Sequence, residues 1–250
     1  MAARAQSPTG SSLDRAPMTT TLHVLCAGAA QGLVKALVPR LLAEADAEIA
    51  GRFGAVGAMK EALLAGEPCD VMIVTDKMIG ELVDAGALRG DTRGQIGRVR
   101  TGIAVRRGAP KPDVSTPEAL KAALHAADAI YLPDPVRATA GIHFMNVLRQ
   151  LGIDEVVQPR LRSWPNGATA MRELAANDAP RLVGCTQITE IKYTDGVELV
   201  APLPDRFELA TVYTAATSTS AAQPALAARF IAMLAGAQSR ALREAGGFEF

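Results

Sequence analysis

Cys185 ends the apolar run "LVGC" and is followed by Thr186 and Gln187, a place where a thiol can meet a substrate. Attack by cysteine needs a thiol pKa lowered by a neighbouring histidine or cation, and the flanking residues supply neither, so a buried inert thiol is the competing reading. His143, in "RATAGIHF", opens a helix where it could act as a general base or simply close the helix end. Arg137 in the same stretch could pair with a carboxylate through both guanidinium prongs, or stand on the surface. Thr139 could bind ligand or cap the helix, and Asp76, directly after "MIVT", could line a cleft or cap the helix that follows. His23, His125 and His143 have no metal-ligand spacing. No Ser-His-Asp order, Walker loop or dinucleotide fingerprint is present, so neither a metal nor a cofactor is expected.

A different chemistry is suggested by four turns of small residues, each between an apolar run and a helical pattern: "AGAAQG", "GAVGAMK", "RATAGIH" and "PNGATAM". A helix start exposes unpaired backbone N–H groups and a partial positive charge. Small side chains let an anion approach those amides without any lysine. The candidate contacts are Gly28, Ala29, Ala30 and Gln31 in the first turn and Ala55, Val56 and Gly57 in the second. The third offers Arg137, Thr139 and Ala140, the fourth Asn166 and Gly167, with Cys185 and Thr186 at a further strand end. Asn166 is equally suited to cap its helix.

The elements that must position these turns alternate between apolar strands and amphipathic helices. Strands are predicted over 22–27, 47–53, 69–75, 97–107, 129–132, 159–163, 181–185, 197–201 and 210–216. Helices are predicted over 31–45, 57–65, 76–85, 142–151, 168–176, 224–234 and 238–245, with one beginning at Pro117 behind a Ser115 or Thr116 cap. Such alternation predicts an α/β protein with two parallel-type sheets. The arrangement expected is a two-lobe fold with a hinge and an interlobe cleft: residues 1–20 a disordered arm, 21–101 plus 207–250 the first lobe, and 102–206 the second.

Composition bounds the partners. The chain has 250 residues, 49% hydrophobic, with 26 basic and 26 acidic residues. That balance offers no basic face for nucleic acid, and no run is long and apolar enough for a membrane span. Three cysteines are an odd number and predict reduced thiols rather than a disulfide framework. The start "MAARAQSPTGSSLDRAPMTTT" has no apolar h-region, which predicts a cytoplasmic location for the chain as written, and a periplasmic one if the true gene start lies upstream.

The stretches "LHVLCAGAAQGL", "RFGAVGAMKEALLAGEPCDVMIVTD", "AIYLPDPVRATAG", "AMRELAANDAPRLVG" and "ALREAGGFEF" resemble the type II periplasmic binding proteins, specifically the molybdate-binding proteins of ABC transporters. The resemblance runs from about Leu22 to the C-terminus. It implies a solute-binding protein that closes over a small anionic molecule, with an ABC permease as partner only if an exported form exists. The oxyanion-contacting serine of the first turn matches Ala29, that of the second falls in Ala55–Gly57, and the tyrosine of the last turn matches Cys185. Ala140 and a backbone contact near Gly167 are retained. With the hydroxyls gone, each worth about 1.5–3 kcal/mol to a charged ligand, the expected ligand is an organic acid rather than molybdate. The alternative is an enzyme of this fold acting on a small carboxylate, such as a proton-transfer isomerase.

Overall fold

The computed structural model describes residues 19–250. The arm expected over 1–20 therefore falls, apart from its last two residues, outside the described residues. In chain order the first elements are β1 (Thr20–Ala27), α1 (Gly28–Ala45), β2 (Ala47–Gly54), α2 (Val56–Leu64), β3 (Val71–Thr75), α3 (Asp76–Asp84) and β4 (Gly94–Arg106). There follow α4 (Pro117–Ala126), β5 (Ala129–Pro133), α5 (Thr139–Gln150), α6 (Asp154–Val157), β6 (Leu161–Trp164), α7 (Gly167–Ala175) and β7 (Leu182–Gln187). The chain closes with α8 (Ile188–Tyr193), β8 (Val197–Pro202), β9 (Ala210–Thr217), α9 (Pro224–Ala235) and α10 (Arg240–Gly246).

The strands form one path, β2-β1-β3-β9-β4-β7-β5-β6, with β8 also on β4. This corrects the expectation of two separate parallel sheets. β1 is parallel to β2 and β3, and β5 is parallel to β6 and β7, but β9 and β4 run antiparallel to their neighbours. The cause is β4, which changes partners midway. Up to Arg100 it pairs with β9, and from Thr101 onward it pairs with β7 and β8. The Thr101 amide donates to Leu209 O (3.1 Å) and its carbonyl accepts from Leu203 N (3.1 Å), so the outgoing strand and the returning chain are joined at one residue.

Two bodies of apolar side chains lie on either side of that junction. One core gathers Leu22, Val24, Leu33, Met72, Ile73, Phe230 and their neighbours from β1, α1, β3 and α9. The other half covers both faces of its strands, with Ile130, Phe144 and Val183 on one and Tyr131, Met171 and Leu182 on the other. The continuous apolar run of β3 is buried throughout save for Thr75, as a strand covered on both faces requires. The result is a two-lobe α/β architecture whose halves are joined where β4 changes partners.

The helix starts follow the expected chemistry where a cap exists. Thr116 accepts from Ala119 N (3.1 Å) ahead of Pro117, and Thr75 accepts from Met78 N (3.3 Å) at α3. The single turn α6 has no counterpart in the sequence reading, and neither has α8. Its six residues include two isoleucines and a threonine, β-branched types that weaken helix propensity. Tertiary packing holds it instead. The Tyr193 ring lies between Gly32 of α1 and Gly246 of α10, where a Cβ on either glycine would overlap it.

That contact decides between two effects of Gly32→Ala. Helix propensity favours alanine by up to about 1 kcal/mol, whereas overfilling a packed contact costs about 1–3 kcal/mol. Gly32→Ala is expected to lower stability by about 1–2 kcal/mol in urea denaturation; a more stable variant would mean that Tyr193 does not fix α8 to α1.

Candidate functional site

The four small-residue turns converge. Ala27–Ala29 before and within α1, Gly54–Val56 at α2, Ala138–Ala140 at α5 and Asn166–Gly167 at α7 all line one cavity between the lobes. The cavity measures about 20 Å³, the room of a water molecule and not of an organic acid. A larger ligand therefore enters with the lobes further apart. The lobes touch here through the Gly57 amide of α2, which donates to Arg137 O (3.1 Å) ahead of α5.

The amides at these helix starts are not equally occupied. No side chain caps α1, α2 or α5, whose Ncap positions are all alanine: Ala27, Ala55 and Ala138. At α7, Asn166 Oδ1 accepts from Thr169 N (2.8 Å). The backbone amides of Gly167, Ala168 and Gln187 face the carboxyl of Glu190 and favour its charged form. Thr186 Oγ1 adds a hydrogen bond to Glu190 Oε2 (2.5 Å).

Glu190 is the chemical centre of the cavity. It comes from α8, and Thr194 Oγ1 donates to its carbonyl (2.7 Å), closing that helix turn. The residue is 5% exposed. Burial raises its pKa above the usual carboxylate value, more than the Thr186 hydroxyl and the amides of Ala168, Gln187 and Gly167 lower it. Its charge also adds to burial in pushing up the Cys26 thiol and the Tyr213 phenol. Gly28 and Gly167 are bare because of it: a Cβ on Gly28 would overlap Glu190 Oε1, and one on Gly167 would overlap Oε2 and the Thr186 hydroxyl. The smallness of the first turn thus makes space for the protein's own carboxyl.

Gln187 is the second group that the sequence reading did not assign. It lines the cavity, is 2% exposed, and neither its Nε2 nor its Oε1 has a hydrogen-bond partner among the described residues. A buried amide left unpaired costs about 1–3 kcal/mol per group, and this one faces the cavity. Tyr213 of β9 closes the cavity floor.

The predicted residues divide. Gly28, Ala29, Ala55, Val56, Thr139, Ala140, Asn166 and Gly167 line the cavity, and Thr186 sits behind it on Glu190. Ala30 is buried in the first core, and Gln31 lines a different pocket with Lys35 and Arg172. Gly57, Asp76, Arg137 and His143 line a wide groove at the cleft mouth. There Asp76 accepts from Thr214 Oγ1 (2.8 Å), and the exposed Arg137 guanidinium faces Glu61 (3.7 Å). His143 is tied up as well, its Nε2 2.8 Å from Phe207 O. Cys185 is corrected outright: it points into the second core, opposite Ile103, and burial holds its thiol protonated. The reading failed there by register. Gln187, at the end of the strand, and Glu190, on the short helix that was not foreseen, are the residues just beyond Cys185 that reach the cavity.

Two outcomes follow for stability. Because the folded pKa of Glu190 lies above the usual value of about 4.5, its contribution is fully present below that pH. It is lost as pH rises toward the folded value. Glu190→Gln should therefore gain stability relative to wild type as pH rises from 4 to 8, read by chemical denaturation at each pH. A constant difference would place the ionised carboxylate in a solvated setting. Gln187→Leu, which removes both unpaired atoms at similar volume, should raise the unfolding free energy by about 1 kcal/mol or more. A loss instead would show that the amide is satisfied within the protein.

Comparison with known proteins agrees with this geometry. The family described as bacterial extracellular solute-binding protein matches residues 22–249. An aconitate isomerase from a Pseudomonas species is 27% identical over 234 residues, covering 91% of this chain and 87% of that protein. Among solved structures, the Azotobacter vinelandii periplasmic molybdate-binding protein superposes with a TM-score of 0.76 at 19% identity, covering 92% of this chain and 99% of the other. The sulfate-binding protein SubI from Mycobacterium tuberculosis does so with a TM-score of 0.71 at 18% identity, covering 92% and 86%. The cleft, the hinge strand and the match across nearly the whole described chain place this protein in the bacterial extracellular solute-binding protein family, with the fold of a type II periplasmic binding protein.

Proposed function

We propose that this protein binds a small unsaturated polycarboxylic acid between its lobes and catalyses a proton shift along its carbon skeleton, with Glu190 taking and returning the proton. The observation that carries this is a buried carboxyl at the centre of a cavity otherwise built for an anion. A receptor that only held an anion would gain from further donors there, and a carboxylate would repel its ligand. Burial lessens the conflict by raising the pKa, so the carboxyl spends part of its time neutral and its ionised form is a stronger base than an ordinary carboxylate. It also produces what proton transfer needs, a carboxyl whose pKa is moved from its usual range toward the working pH.

The similarity to an aconitate isomerase supports the substrate class. Aconitate is a tricarboxylic acid in which a methylene group adjoins a carbon–carbon double bond. Removing a methylene proton breaks C–H and forms O–H on Glu190, leaving an anion spread over three carbons and the adjacent carboxylate. Returning the proton to the far carbon completes the shift, with no net oxidation. The uncapped starts of α1 and α5 supply amides for the substrate carboxylates. The Gln187 amide supplies a donor where negative charge develops.

A receptor without turnover is the second reading, favoured by the family itself; neutral Glu190 would then donate a hydrogen bond to the ligand. Incubation with cis-aconitate, followed by proton NMR, separates the two. Formation of the trans isomer is expected, and Glu190→Gln should lower kcat by about 10²–10⁴-fold with little change in affinity. Acid that binds and is recovered unchanged would favour the receptor, and full activity in Glu190→Gln would remove this carboxyl from the chemistry.

A further inference from the structure

Glu190 borders two spaces. In front is the interlobe cavity; behind it lies a separate pocket of about 360 Å³ on the opposite side of the carboxyl, where α1, α7 and α8 meet. Gly28 and Glu190 line both. The residues that touch the carboxyl also form the inner wall of the rear pocket: Gly28, whose missing Cβ would overlap Oε1, and Ala168, whose amide faces the carboxyl. The rim is different in kind. Lys35 and Arg172 are exposed there, and Gln31 is half-buried between rim and wall.

The two spaces differ in what can fill them. The front would be taken up by the acid, with the lobes further apart than they stand here at Gly57 and Arg137. The rear lies where α1 packs on α7 and α8, and its rim at Lys35 and Arg172 is exposed. A water needs only about 10–15 Å³, so the rear pocket has room for several, and Glu190 stands with Gly28 in the wall between the two spaces.

We propose that this rear pocket is a proton-exchange port, through which the proton held by Glu190 trades with solvent while the cleft is closed. The proposal rests on the reading of Glu190 as the proton carrier. The step is balanced: the carboxyl O–H passes its proton to a water, which returns another to the same oxygen. In heavy water the carboxyl thereby becomes O–D before it protonates the far carbon. Without a port, the closed site would hand back the proton it removed.

The test is isomerisation of cis-aconitate in heavy water, with mass spectrometry of the product at low conversion. Wild type is expected to give product carrying close to one deuterium per turnover. Gln31→Trp and Arg172→Trp, which fill the pocket from α1 and from α7, should cut that label severalfold while isomerisation continues. Unlabelled product from wild type overturns the proposal, and so does full label in both filled variants. A protein that turns over no aconitate refutes the isomerase reading and not the port, which has its own readout. The infrared band of the Glu190 carboxyl, assigned by its loss in Glu190→Gln, should shift rapidly in heavy water with the acid bound. The same band should shift slowly in the filled variants. Equal rates in wild type and variants would overturn the port.

Discussion

The structure of this cleft depends on the burial of one carboxyl among the amides of a helix start. Glu190 removes from water a group that prefers to be charged. It recovers part of that loss from the Gly167 and Ala168 amides, the Gln187 amide and the Thr186 hydroxyl. Several features follow from it. Gly28 and Gly167 must lack side chains, since the carboxyl oxygens occupy the positions their Cβ atoms would take. α8 must stand against α1, and this is the place of the Tyr193 ring, lodged between Gly32 and Gly246. The thiol of Cys26 and the phenol of Tyr213 stay neutral beside it, which keeps further negative charge out of the cavity.

The hinge serves the same centre. β4 passes from one lobe to the other at Thr101, whose register partner across the sheet is Gln187. The strand that carries the crossing therefore lies directly beside the strand end that delivers Gln187 and Glu190. Lobe movement about Thr101 changes the distance between the α1 and α2 starts on one side and the α5 start on the other. The Glu190–α7 contact lies within one lobe and travels as a unit. The buried carboxyl is thus fixed to one wall of the cleft, and the α1 and α2 starts stand on the other.

Much of this was legible in the sequence. The two α/β blocks and the four small-residue turns are carried by long apolar runs and by spacing, which survive in a single sequence. The partner change in β4 was not, because pairing is a property of register and "GRVRTGIAVRRG" reads as one strand whichever neighbours it has. The centre of the site was also missed. Glu190 sits in "ITEIKY", six residues whose composition argues against a helix. A glutamate in a short polar-apolar run is ordinarily a solvated side chain. Only packing against α1 and α7 turns it inward. The Cys185 assignment failed for the related reason that strand alternation and the strand's true end were both uncertain by the residues that matter.

The family fold explains why such a site could arise. Helix starts gathered at a cleft bind anions through backbone, a property that tolerates any side-chain change at Ala29, Ala55 or Ala138 that keeps them small. Backbone donors hold a carboxylate without specifying what its carbon skeleton undergoes. On the isomerase reading proposed above, a single buried carboxyl added to that cradle would convert a surface that grips the acid groups into one that acts on the carbons between them. The amides would then do for the transition state what they do for the ligand, since the charge released from the broken C–H bond spreads onto carboxylates already in their grip. Binding and chemistry in such a cleft would be separable at one residue: the amides belong to the fold, and the proton would belong to Glu190.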